Sequence, residues 1–293
     1  MAVSNPDKVL FPDDGVTKAE LISYYLRIAP VMLPHVRGRP LTLVRYPKGI
    51  RQQGFFQKGV SDYFPGWIGR VEVTKEDGTV IHPLADDAAT LAYLANQAAV
   101  TLHVWTSRVP RLDYPDVVVF DMDPGAGGFA SVRAAARLTR ALLTELGLAP
   151  YVQTTGSRGL HVVAPLDASA GFEEVRAFAR DAADLLASKA PARFTTEVRK
   201  AKRADRLFID TGRNAYAQTF AAPYTVRPRP GAPIAAPIDW AEVGRIQPQS
   251  FTIRNVFRRL ARKVDPWADI WSQARPLAPA RRRLDAMLGA DRK

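Results

Sequence analysis

Leu21, Tyr24, Tyr25 and Ile28 recur three and four residues apart behind the capping-box sequence Thr17-Lys18-Ala19-Glu20. This spacing predicts an amphipathic helix that ends before Pro30. The rhythm then shortens. Residues 41–46 read as a strand, and 69–74 and 79–83 alternate apolar and polar positions around Lys75-Glu76-Asp77-Gly78, which predicts a hairpin. Residues 91–99 read as a helix, 102–105 as extended chain, 117–120 as a buried strand, and 131–146 as a helix stopped by Gly147. Residues 151–155 and 160–164 flank a glycine turn, 172–188 return to helical spacing, and 207–210 are extended. Frequent proline makes 221–237 a semi-extended connector, after which Asp239-Trp240 and the Arg-rich stretch 251–263 predict a terminal helical region. The expected fold is mixed α/β (α+β), with two sheets and covering helices. It forms one unit over residues 1–293, with two sub-modules and a basic helical segment from about residue 250 to 293.

Composition narrows the chemistry. No apolar run reaches the length of a membrane span and residues 1–10 lack a secretion signal, so the expected location is the cytoplasm, with no membrane. Cysteine is absent, which excludes disulfides and thiolate zinc sites. The four histidines, His35, His82, His103 and His161, are far apart in sequence, so any metal is expected to take hard oxygen ligands. Lys and Arg total 41 against 29 Asp and Glu, a net charge of +12 that favours a polyanionic partner. Residues 193–206 and 251–293 carry much of that excess; the bland alternative is a solvated basic helix in an Arg-rich chain.

Against this basic background, Asp121-Met122-Asp123 follows the apolar run Val117-Val118-Val119-Phe120, and Asp210 follows Leu207-Phe208-Ile209. Residues two apart on a strand share a face, so Asp121 and Asp123 project side by side and their repulsion calls for a cation. Three carboxylates from two strands can hold two Mg2+ or Mn2+ ions for phosphoryl transfer. The alternative is turn and cap chemistry, to which Asp123-Pro124-Gly125 is well suited.

Thr154-Thr155-Gly156-Ser157-Arg158-Gly159-Leu160-His161 offers hydroxyls, a guanidinium and an imidazole to a phosphate or sugar, on a backbone that two glycines let approach a ligand. It lacks the Gly-Lys-Ser/Thr ending of a P-loop, and an ordinary hairpin turn is the competing reading. Phe55-Phe56, among Arg51, Gln52, Gln53, Gln57 and Lys58, suits base stacking, because adjacent side chains on extended backbone cannot both enter one core. His103 alternates with Leu102 and Val104 and faces either a nucleotide or water. Lys75-Glu76-Asp77-Gly78 matches the Lys-x-Asp-Gly signature of nucleotidyl-transferring ligases. The alternation on both sides and the absence of later ligase motifs assign it to the hairpin turn instead.

In this order the segments resemble the archaeo-eukaryotic primase superfamily, specifically the polymerase domain of bacterial ligase D and its stand-alone relatives. The likeness runs from Asn5-Pro6-Asp7-Lys8-Val9-Leu10-Phe11-Pro12 through residues 41–58, Asp121 to Gly125, Gly156 to His161 and Leu207 to Asp210, to Ala222-Pro223-Tyr224-Thr225-Val226-Arg227. The resemblance implies that Asp121, Asp123 and Asp210 bind catalytic Mn2+ or Mg2+, and that His161, Arg213 and Arg227 hold the triphosphate of an NTP or dNTP. It also implies that Thr155, Ser157, Arg203 and His103 lie near nucleotide or metal. Asn5, Lys8 and Lys18 match the pocket for a downstream 5′-phosphate, and Phe55 and Phe56 the template-stacking pair. The family more often has Ser where Thr155 stands, and Arg158 replaces a common Lys.

The implied fold is an RRM-like catalytic sheet with a second α/β module around one cleft. The implied activity is template-directed primer extension and gap filling at DNA breaks, with a preference for ribonucleotides. DNA with recessed or gapped ends and a downstream 5′-phosphate is the implied partner; Ku and a separately encoded DNA ligase are partners the resemblance admits, in a nucleoid-associated location. Two other classes compete. A haloacid dehalogenase-type phosphatase would use Asp121 and Asp123 as nucleophile and general acid, but leaves the preceding 120 residues and the basic tail unaccounted for. A non-catalytic nucleic-acid-binding module would need the positive charge but not three aspartates so placed.

Overall fold

The computed structural model describes residues 2–75 and 78–290, a mixed α/β chain that divides into two compact units. Unit 1 comprises Met1–Pro110, Thr219–Ala236 and Gln249–Val264; unit 2 comprises Arg111–Gln218, Pro237–Pro248 and Asp265–Lys293.

Unit 1 begins with a short antiparallel pair, β1 (Val9–Phe11) and β2 (Val16–Thr17), that leads directly into helix α1 (Lys18–Val36). Thr17 is the N-cap: its hydroxyl accepts from Glu20 N at 3.2 Å and the Glu20 carboxylate accepts from Thr17 N at 2.8 Å. The helix does not end before Pro30, as its pattern predicts, but runs through Pro30 and Pro34. Each proline inside a helix costs about 3 kcal/mol, so the two together cost about 6 kcal/mol. Burial of Met32 and Val36 beyond Pro30, worth about 1.5–3 kcal/mol each, offsets much of that cost. Guanidinium donors from Arg39 to His35 O and from Arg108 to Pro34 O add to it.

The main sheet of this unit contains β3 (Leu41–Arg45), β4 (Phe55–Gln57), β7 (Ala99–Trp105) and the strand Thr219–Ala221. They lie in the antiparallel order Thr219–Ala221, β7, β3, β4, which leaves β4 on an edge. Strands β5 (Arg70–Lys75) and β6 (Gly78–Pro83) pair as the expected hairpin; Glu76 and Asp77 of its turn lie outside the described residues. Helix α2 (Ala88–Asn96) starts three residues before its sequence expectation, because Asp87 caps it through Thr90 N at 2.7 Å. It also ends earlier: Ala98 adopts a φ of +56° and Ala99 already belongs to β7.

Unit 2 is a six-stranded sheet covered by helices. Its strands are β8 (Val117–Asp123), β9 (Tyr151–Thr154), β10 (Leu160–Pro165), β11 (Phe194–Thr195), β12 (Leu207–Asp210) and the pair Pro237–Ile238, in the order β11, β12, β8, β10, β9, Pro237–Ile238. Only β11 and β12 are parallel. Val117, Val118, Val119 and Phe120 are all fully buried, as a central strand covered on both faces requires. Helix α3 (Gly128–Glu145) packs Val132, Ala135, Ala136, Leu142 and Leu143 inward, and α4 (Phe172–Lys189) does the same with Val175, Phe178, Ala182 and Leu186. The chain leaves α3 at Gly147, whose φ of +87° suits glycine.

The basic segment after residue 250 is not one helical region. It supplies a five-residue helix, Val256–Leu260, to unit 1 and the helix Leu277–Ala290 to unit 2. Pro266 and Pro276 interrupt it, and Trp267 between them is buried with its indole N–H on Val152 O at 3.1 Å. No helix among the described residues is long and apolar enough to cross a membrane.

Candidate active site

Strand β8 continues past Phe120 to Asp123, so the two acids lie within the sheet rather than beyond its end. Register does the rest. Asp121 stands opposite Asp210 of β12 on one side and opposite His161 of β10 on the other, while Asp123 stands opposite Phe208. Directly paired residues share a sheet face, as do residues two apart on one strand, so all four polar side chains converge. One carboxylate oxygen from each of Asp121, Asp123 and Asp210 lies within 4.8 Å of the others. Asp121 is buried and its two partners are half-buried.

The cluster carries the electrostatic signature of that crowding. Asp123 is held above the ordinary aspartate range, first by burial and then by the negative charges of Asp121 and Asp210; Arg158 and Arg213 pull the other way. The Arg213 guanidinium lies between two acids, with Nε 3.7 Å from Asp121 Oδ2 and Nη2 3.5 Å from Asp210 Oδ2. Asp210 is further oriented by Gly212 N, which donates to Oδ1 at 2.8 Å. His161 Nε2 is 3.5 Å from Asp121 Oδ1. With the Gln153 amide nitrogen 2.9 Å from His161 Nδ1 and assigned as donor, the ring proton sits on Nε2, facing the acids. Three hard oxygen donors at this separation fit Mg2+ or Mn2+, and no sulfur donor competes.

The turn joining β9 to β10 uses its special residues locally. Thr155 Oγ1 accepts from Ser157 N at 3.2 Å and Gly159 N at 3.1 Å and donates to Gly159 O at 3.2 Å, which builds it into the turn. A Cβ on Gly159 would lie 2.1 Å from Met122 O, so this glycine is required by the neighbouring strand; Gly156 supplies a φ of +61°. Both glycines are therefore required by the turn itself and by the strand beside it. Ser157 is half-buried and Arg158 exposed. Arg203 stacks over Phe208 at 3.7 Å and donates to Glu197 O and Val198 O at 3.0 and 2.8 Å, fastening the basic 197–203 loop to the strand that carries Asp210.

Unit 1 carries the remaining expected residues. Asn5 adopts a φ of +47°, its carbonyl accepts from Lys8 N at 3.2 Å, and Lys8 O accepts from Lys18 N at 2.9 Å. Lys18 is buried and its ammonium bonds Ser4; desolvation, then the charge of Lys8, lowers its pKa. These contacts bring Asn5, Lys8 and Lys18 together. Phe55 and Phe56, on edge strand β4, are 46% and 67% exposed and point to opposite faces. Phe56 meets His103 edge-on at 6.2 Å, and the Arg45 guanidinium lies 5.4 Å from the Phe55 ring centre. Arg227 lies at the start of a loop closed by its own N–H on Pro233 O at 2.7 Å.

Two residues outside the sequence expectation complete the acidic centre. Gln153 faces His161 across β9 and β10, a pairing that counting outward from the 155–159 turn would reveal. Asn214 is fully buried; its amide accepts from Val119 N at 2.8 Å and donates to Val119 O at 2.7 Å, fixing the short 3-10 turn Gly212–Asn214 that presents Arg213. Nothing in its local sequence marks it.

Residues 17–267 match the LigD primase-polymerase domain family. Among curated relatives, the multifunctional non-homologous end joining protein LigD of Mycolicibacterium smegmatis is 36% identical over 271 residues, 92% of this chain and 35% of that protein. The bifunctional LigD of Bacillus subtilis is 32% identical over 269 residues, 90% of this chain and 43% of that protein. The chain thus spans well under half the length of these relatives. The polymerase domain of Mycobacterium tuberculosis ligase D, solved in complex with DNA, superimposes with a TM-score of 0.88 at 35% identity, covering 94% of this chain and 99% of that one. Register, donor chemistry and these likenesses agree: the chain belongs to the LigD primase-polymerase domain family.

Proposed function

We propose that the protein is a metal-dependent, DNA-templated nucleotidyltransferase that extends a primer 3′-hydroxyl. The observation that carries this reading is the row Asp210, Asp121, His161 across three paired strands, with Asp123 on the same face and Arg213 between the acids. Asp121, Asp123 and Asp210 would hold Mg2+ or Mn2+, which when bound neutralises phosphate charge and makes the primer hydroxyl a better nucleophile. His161 Nε2–H and the Arg213 guanidinium are donors suited to triphosphate oxygens. The 3′-hydroxyl gives up its proton to solvent as its oxygen attacks the α-phosphorus, the bond to the bridging oxygen of the β-phosphate breaks, and pyrophosphate leaves.

Arg227, Arg203, Ser157, Thr155 and His103 are proposed as further nucleotide-side residues, the hydroxyl of Thr155 acting through the turn it holds. Asn5, Lys8 and Lys18 are proposed to hold a downstream 5′-phosphate, and Phe55 and Phe56 to stack on template bases. The relatives are named for non-homologous end joining, and we extend that role to this chain. Gapped or recessed DNA is then the substrate, ribonucleotides the preferred monomers, Ku and a DNA ligase activity the partners, and the nucleoid the location. The test is extension of a recessed primer opposite a 5′-phosphorylated downstream strand, with Mn2+ and either ribo- or deoxyribonucleotides. Template-dictated, metal-dependent incorporation is expected; release of phosphate from small esters without incorporation would sink the reading in favour of a phosphatase.

A further inference from the structure

The turn between β1 and β2, Pro12-Asp13-Asp14-Gly15, is acidic within a basic surface, and its acids hold other loops of unit 1. Asp14 Oδ2 accepts from Gly231 N at 2.6 Å, and Asp14 O accepts from Arg254 Nη2 at 2.6 Å. Asp13 pairs with Arg51, and Leu10 O accepts from Ile50 N at 2.8 Å, so the segment leading to Phe55-Phe56 also rests on this hairpin. Gly231 is at the tip of the loop that begins at Arg227 and closes through the Val226–Ile234 bridge; with a φ of +83° the tip is shaped for glycine. At the other end of the same hairpin stand Lys8, just before β1, and Lys18, just after β2, joined by Lys18 N on Lys8 O. Roughly 10 Å of strand separates the two ends.

We propose that Asp14 is a positioning residue that couples a downstream 5′-phosphate on Lys8 and Lys18 to the grip of Arg227 on the incoming nucleotide. The proposal rests on the roles given to those residues above. Lys18 N bonds Lys8 O, and the Lys8 charge acts against that of Lys18; a phosphate dianion held by both removes that opposition and fastens the base of the hairpin. A fastened hairpin holds Asp14 still, Asp14 holds Gly231, and the Arg227 loop is ordered before the nucleotide arrives. The nucleotide then meets a smaller ordering cost, which appears as tighter binding.

The test uses gapped DNA carrying a downstream 5′-phosphate or 5′-hydroxyl, with steady-state nucleotide kinetics for wild type, Asp14→Ala and Asp14→Asn. In wild type the phosphate should lower the nucleotide KM by about 5-fold or more, the lower end of ordinary site coupling, with kcat little changed. Asp14→Ala should lose that KM effect while fluorescence anisotropy still shows preference for phosphorylated DNA. Asp14→Asn should keep it, because its amide oxygen can still accept from Gly231 N. An undiminished KM effect in Asp14→Ala would overturn the coupling alone, as would loss of the effect in Asp14→Asn or loss of phosphate preference in Asp14→Ala. In wild type, no KM effect beside a retained anisotropy preference for phosphorylated DNA would overturn the coupling alone, and the absence of both would overturn the coupling and the pocket reading together.

Discussion

Asp121, Asp210 and His161 reach one face of the unit 2 sheet because three backbones are hydrogen-bonded in a single register, with a fully buried strand at the centre. The proposed DNA contacts of unit 1 are supported differently: Phe55 and Phe56 project from an edge strand, and Lys8 and Asn5 are exposed on irregular chain leading into β1. A chemical centre needs ligand atoms fixed to a fraction of an ångström, which a register-locked sheet provides. A surface that follows a flexible polyanion needs charge and π-faces at approximate spacing, and edges and loops suffice. Substitutions in the first region should therefore act almost as switches, those in the second as graded losses.

The sharpest test of that contrast is Asp121→Ala. It removes the central carboxylate while leaving every strand hydrogen bond in place, so incorporation should fall by more than about 100-fold, exceeding the loss typical of outer-shell partners of a metal site, with an unchanged circular dichroism spectrum. Mn2+ binding followed by electron paramagnetic resonance should weaken in parallel. Near-normal turnover would break the assignment of Asp121, and with it the register argument.

Asn214→Ala should be next in size and should act on stability. It strips the partners from both backbone groups of Val119 inside the sheet, and leaving buried groups unpaired costs roughly 1–3 kcal/mol each. A urea unfolding midpoint indistinguishable from wild type would show that this buried amide is not what holds the Arg213 turn. Asp123 provides a pH-dependent counterpart. Its folded pKa lies above the unfolded one, so the folded protein binds more protons and loses stability as pH rises from the usual aspartate value, about 3.9, through the raised one. In chelator, Asp123→Asn should remove that fall. Mg2+ or Mn2+ at about 100 times its Kd should stabilise wild type by about 2.7 kcal/mol and the variant by much less; equal responses would place the metal elsewhere.

Much of this centre was legible before the structure. Apolar runs ending in Asp121 and Asp210 mark strands, and period two sets Asp121 and Asp123 on one face. That Asp210 stands opposite Asp121, and not a residue away, depends on pairing between strands more than eighty residues apart, which no local pattern encodes. Asn214 is hidden for the same reason, because its partner is the backbone of Val119. The helix that passes Pro30 exposes another limit: local propensity predicts a stop, and burial of Met32 and Val36 overrides it.

In unit 1 the effects should be smaller and should spare folding. Phe56 is the more exposed aromatic, so Phe56→Ala sacrifices little core packing. If it stacks on a template base, the change should cost about 1–3 kcal/mol of template affinity with no shift in melting temperature. Unchanged binding of single-stranded template would reduce Phe56 to an edge-strand cover for His103.

Lys8→Ala should have the smallest effect and isolates one charge. Lys8 is exposed, and the hydrogen bonds that tie it to Asn5 and Lys18 come from its backbone, so the variant keeps the fold of the pocket. Lys18 is a poor substitute for this test, since its ammonium is buried against Ser4 and its removal would disturb the chain as well as the charge. Losing one phosphate-neutralising cation should reduce the slope of log affinity against log salt by about 1. The reduction should appear with 5′-phosphorylated gapped DNA and be absent with 5′-hydroxyl DNA. Equal reductions with both would make Lys8 a general backbone contact, and the pocket would then rest on Asn5 and Lys18 alone.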